Sequence, residues 1–102
     1  MSTLSKRIRE ARLRAGMSQE MLGIQIGIDP ASARARINRY EQGTRIPTPT
    51  LVERIAREFV LPVTYFYAED DDEAKLLQWF HWLKEDERAE LMQRVSSPVR
   101  MS

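Results

Sequence analysis

The chain has no cysteine and a single histidine, His81. Disulfides, thiol nucleophiles and thiolate metal sites are therefore excluded, and one imidazole cannot build a His-rich metal centre. A cysteine-free chain suits a reducing compartment, and we expect a cytoplasmic protein. Only four glycines occur, and they form no phosphate-binding loop. A helical His-Glu-x-x-His is missing too, so neither an enzyme, a bound metal nor a cofactor is expected. No apolar run reaches the roughly 20 residues of a membrane span. The N-terminus is basic but lacks the apolar stretch of a signal peptide. No segment alternates apolar and polar residues as strands do, so the expected fold is all-α.

What the 102 residues do contain is a 42 % hydrophobic share, enough for one core, and a 30 % charged share. The charges are unevenly spread. Residues 1–68 carry eleven Lys and Arg against six Asp and Glu, a net of +5. Residues 69–102 carry five against nine, a net of −4. A basic front and an acidic back suit a module that offers one face to a polyanion.

Helix signals follow in order. Leu4, Ile8, Ala11 and Ala15 form one stripe of a helix from about Ser5 to Ala15, with Lys6, Arg7, Arg9 and Arg14 largely off it and Gly16 as its stop. Ser18 caps a short second helix whose inward residues are Leu22 and Ile26. Gly27 ends it, and Ile28 plugs the core. Asp29-Pro30 starts a third helix that runs to Gln42 and Gly43, with Ser32 as an alternative cap. Thr48-Pro49 starts a fourth, with Leu51, Val52, Ile55 and Phe59 inward, and Pro62 opens a short fifth through Tyr65, Phe66 and Tyr67. The acidic run Glu69 to Glu73 reads as a hinge and helix cap rather than a metal site. Beyond it, Leu76, Leu77, Trp79, Phe80, Trp82 and Leu83 make a helix apolar over most of its circumference. Asp86 caps a final short helix with Leu91, Met92 and Val95, and Ser96 to Ser102 should fray.

The third helix carries the chemistry. With Ile37 pointing inward and about 100° per residue, Ala33, Tyr40 and Glu41 fall on the inner side. Ser32, Ala35 and Arg39 fall opposite, with Gln42 close by. Arg36 and Asn38 flank that outer face, and Arg34 lies nearer the boundary. Small residues let a helix approach a groove floor, and arginine offers a planar fork to guanine or to phosphate. A solvated, salt-bridged helix face is the alternative.

The surrounding residues favour the DNA reading. The ordered set Ile8-Arg9-x-x-Arg12, Gly16-Met17-Ser18-Gln19-Glu20-x-Leu22, Gly27, Ile37-Asn38-Arg39-Tyr40-Glu41-Gln42-Gly43, Pro47 and Leu51-x-x-x-Ile55-Ala56 resembles the helix-turn-helix domain of the XRE family. That group includes lambdoid phage repressors and Cro. The resemblance covers residues 4–67 and implies a five-helix, lambda-repressor-like domain of prokaryotic or phage type. It implies base reading by Ser32, Arg34, Ala35, Arg36 and Arg39, with Ser32 depending on where the helix starts. It implies phosphate contacts from Gln19, Asn38, Thr44 and Arg45, and an inward ion pair between Arg12 and Glu41. Gly27 to Glu41 spans fourteen residues, about one helical turn more than the family usually has. Residues 29–32 therefore either lengthen the reading helix or enlarge the turn before it.

Two domains are expected: a DNA-binding domain over 1–68, and an acidic hinge with a helical extension over 69–102. Leu76, Trp79, Phe80 and Leu83 are too apolar for an isolated helix. They serve either homodimerisation or internal packing. The expected function is a sequence-specific double-stranded DNA-binding regulator, a repressor acting as a homodimer on a palindromic operator. The rival is an antitoxin or adaptor whose aromatic extension binds a partner protein.

Overall fold

The computed structural model describes residues 2–97. Among them are six α-helices, one 3-10 turn and no strand. The residues expected to fray lie outside the described range from 98 onward; Ser96 still belongs to the last helix.

Helix α1 spans Thr3–Arg14. It starts before the expected Ser5 because Ser2 is a working N-cap: its Oγ accepts the Ser5 amide at 3.1 Å. Ala15 is exposed, so the inward stripe ends at Ala11 and Arg12. Helix α2, Gln19–Gln25, begins where Ser18 Oγ accepts the Met21 amide at 3.0 Å. Gly27, with φ of 93°, turns the chain after it. Helix α3 spans Pro30–Gln42. The Asp29 carboxylate accepts the Ala31 amide at 2.9 Å, so the extra turn lengthens this helix at its N-terminus. Helix α4 runs Pro49–Glu58 behind a Thr48 cap. The expected fifth helix is a 3-10 turn, Val63–Tyr67. Only seven residues separate Pro62 from the helix cap at Asp70, which keeps this element short.

The core lies where these elements meet. Ile8, Leu22, Ala33, Ile37, Val52, Ile55 and Phe66 are buried in one cluster. Tyr65 belongs to it at 1 % exposure, while Tyr67 is exposed. The residue order of a 3-10 turn places Tyr65 and Phe66 inward together, with rings edge to face at 5.1 Å.

Arg7 departs most from expectation. It sits beside the Leu4–Ile8–Ala11 stripe yet is 0 % exposed. Its Nε and Nη2 donate to the Ala68 carbonyl at 2.9 and 2.7 Å. Its Nη1 meets Glu10 at 2.7 Å and Asp71 at 3.0 Å, and its guanidinium lies over the Tyr65 ring. A charge can be buried when its donors are met this fully.

Helix α5, Asp71–Trp82, starts at the acidic run. Asp70 caps it, and Asp71 takes Lys6 at 3.0 Å as well as Arg7. At its far end the Trp82 indole N–H donates to the Val60 carbonyl at 2.6 Å. Only Ala74 of this helix is buried. Helix α6 spans Glu85–Ser96 and starts one residue before the expected Asp86 cap. Glu87 supplies the cap instead, accepting the Lys84 amide at 2.9 Å. No residue of α6 is buried. The radius of gyration is 16.0 Å, against about 13 Å for a compact domain of this length.

Candidate nucleic-acid interface

Helices α2 and α3 pack through an unusually close contact. A Cβ added at Gly23 would stand 2.6 Å from the Ala33 Cβ and 2.9 Å from its Cα. Only a glycine facing an alanine lets the two backbones come this near. Neither residue was singled out from sequence as a pair; a glycine inside a helical pattern was the available signal.

A buried ion pair fixes α3 from its other end. Arg12 Nε and Nη2 donate to the two Glu41 oxygens at 2.6 and 3.0 Å. Arg12 Nη1 donates to the Met17 carbonyl at 2.9 Å. Glu41 is 1 % exposed. The bidentate fork ties α1, α3 and the turn before α2 into one unit. Gln19 extends it: its amide donates to Glu41 at 3.1 Å and to the Asn38 side chain at 3.2 Å. Gln19 thus stands at the N-terminus of α2, bridged to α3, where free N–H groups and the helix dipole favour an anion.

With α3 held this way, Ser32, Arg34, Ala35 and Arg39 are all exposed. The extra turn carries Ala31 and Ser32 onto the same helix as Arg39. Arg36 departs from this row. It is half-buried, and its Nη1 reaches the Tyr40 hydroxyl at 3.5 Å. Asn38 is exposed beside Gln19. Gly43, with φ of 78°, ends α3 in the left-handed region that glycine tolerates. The amides of Thr44 and Arg45 both turn back to the Arg39 carbonyl, at 3.1 and 3.3 Å. Their side chains are exposed just past the helix end. The face offers Arg34, Arg39 and Arg45 as cations, while the Glu41 charge is turned inward.

The extension residues divide. Leu76 and Trp79 are exposed on α5, whereas Phe80 and Leu83 are partly covered. The Arg88 guanidinium of α6 lies 4.7 Å from the Phe80 ring centroid. Arg7, Asp71 and Trp82, which bind α5 to the rest, were not anticipated in that role. Among the described residues no helix is long and apolar enough to cross a membrane, and no cluster of His, Asp and Glu has the make-up of a metal site.

An α2–turn–α3 unit, locked by a close glycine contact and presenting a cationic helix face, defines a helix-turn-helix protein. Comparison with known proteins agrees. Residues 8–66 match the family described as helix-turn-helix, and the chain belongs to that family, in its XRE branch. The chain is also similar to the crystal structure of the transcriptional regulator BswR, with a TM-score of 0.87 and 33 % identity. That match covers 96 % of this chain and 95 % of the other. No protein of curated function matches.

Proposed function

We propose that the protein is a sequence-specific double-stranded DNA-binding transcriptional regulator, a repressor that inserts α3 into the major groove. The observation that carries this reading is the locked α3, whose Ser32, Arg34, Ala35 and Arg39 emerge exposed while Glu41 is held inward by Arg12. Arg39 and Arg34 would read base edges, with Ser32 and Ala35 allowing close approach. Arg36, half-buried, takes a supporting part. Gln19, Asn38, Thr44 and Arg45 would hold phosphates on either side and set the register. The family match and the likeness to a transcriptional regulator support the same reading.

Residues 1–68 would form the reading domain and 69–102 a dimerisation segment. A 12-residue helix with no buried residue is marginal on its own; α6 exposes Met92 and Val95, and α5 exposes Leu76 and Trp79. A second copy would cover these, and two-fold symmetry would match a palindromic operator. The same exposed aromatics favour the second reading, an antitoxin or adaptor that docks a different protein.

Two experiments separate these. In a gel-shift series, Arg39→Ala should abolish the preference for operator over random duplex, whereas Gln19→Ala should weaken both alike; equal loss on both duplexes for Arg39→Ala would rule out base reading. Light scattering on the purified chain should give a dimer that Trp79→Glu converts to a monomer. A wild-type monomer would favour the adaptor.

A further inference from the structure

We propose that the cleft between α1 and α5 binds a small organic anion, a carboxylate or phosphate carried on an apolar body. The cleft measures about 520 Å³, within the range of roughly 300–1,000 Å³ usual for small-molecule sites. None of its lining residues belongs to α2 or α3, so it is separate from the DNA-facing surface.

Its charge is unbalanced. Lys6, Arg9, Arg14 and Lys75 face Glu10 and Asp71, which leaves a net of +2. Both carboxylates are already engaged. Glu10 is bound by Arg7 and Arg14, and Asp71 by Lys6 and Arg7. Arg9 and Lys75 meet no carboxylate among the described residues. They are a pair of unanswered cations, one on each wall.

The remaining wall is apolar. Leu13 is exposed there, and the Tyr65 ring contributes to it. The Tyr65 hydroxyl is buried near the Glu10 carboxylate without a well-formed hydrogen bond. An anionic head between Arg9 and Lys75 with an apolar body against Leu13 would answer both the unpaired cations and the exposed apolar wall. DNA backbone fits less well, because this site is concave and half apolar rather than a convex cationic ridge.

The test is a ¹H–¹⁵N titration of the full chain with phenyl phosphate at fixed ionic strength. Inorganic phosphate and benzyl alcohol serve as head-only and body-only comparisons. Phenyl phosphate should give saturable shifts centred on Lys6–Arg14, Tyr65 and Asp71–Lys75, with both comparison compounds weaker. The double variant Arg9→Ser/Lys75→Ser should bind roughly ten-fold more weakly with an unchanged melting temperature, since both side chains are exposed. Absence of saturation, equal affinity in the double variant, equal binding of inorganic phosphate, or displacement of the probe by duplex DNA would each overturn the proposal.

Discussion

Replacing Glu41 by alanine should unlock α3 and cost a large share of the domain's stability. The carboxylate accepts from both Nε and Nη2 of Arg12 and also from Gln19. Its removal strands a cation that is only 9 % exposed. Breaking one side of a buried pair costs about 3–5 kcal/mol. Arg12 keeps the Met17 carbonyl and touches solvent, which places the loss near the low end, about 3 kcal/mol. A chain of this length has about 5–15 kcal/mol in all. At about 4–8 °C per kcal/mol, the melting temperature should fall by at least about 12 °C. Circular dichroism at the helix band measures this directly. A hydrogen-exchange experiment should add loss of protection in the α3 amides. The paired change Arg12→Met with Glu41→Leu removes both charges and should stay within about 1 kcal/mol of the parent. A fall of less than about 4 °C for Glu41→Ala would mean the pair is worth under about 1 kcal/mol, and the reasoning would fail.

Gly23→Ala sets helix propensity, which favours alanine by about 1 kcal/mol, against a Cβ 2.6 Å from Ala33. The close contact includes backbone atoms, so an overpacking cost of about 1–3 kcal/mol should exceed that gain and leave a net loss of up to about 2 kcal/mol, seen as a lower urea midpoint together with weaker operator binding. Acid should loosen the extension. Hydrogen bonds from Lys6 and Arg7 hold the Asp71 carboxyl below its usual pKa. A depressed folded pKa gives stability that is present at neutral pH and lost as pH falls through the carboxylate range, below about pH 4. Fluorescence of Trp79 and Trp82 should report that step, and Asp71→Asn should remove it; an unchanged acid transition in the variant would assign it elsewhere.

Much of the helix-turn-helix unit is legible because its signals are local. Ser18, Asp29-Pro30 and Thr48-Pro49 cap helices through their own side chains or fixed φ, and Gly27 and Gly43 take positive φ at the ends. The inward position of Glu41 follows from helical spacing alone. Ambiguity at residues 29–32 was resolved by one contact, the Asp29 carboxylate on the Ala31 amide. What stayed hidden depends on distant chain. Arg7 reads as a surface arginine until Ala68, 61 residues away, lays its carbonyl across it. Tyr65 and Tyr67 are alike in sequence until the 3-10 turn buries the first and exposes the second. Phe80 and the C-cap Leu83 are partly covered while Leu76 and Trp79 of the same helix are exposed; Arg88 of the next helix lies over Phe80, a contact that periodicity does not show.

In the function proposed here, α3 reads duplex DNA through its exposed face as one half of a two-fold pair. Selection of binding sites from a random duplex pool with the purified full chain tests it most directly. A palindromic consensus, with half-sites about one helical turn apart and lost on Arg39→Ala, is the predicted result. Recovery of no enriched sequence, or of one that Arg39→Ala binds equally well, would contradict it.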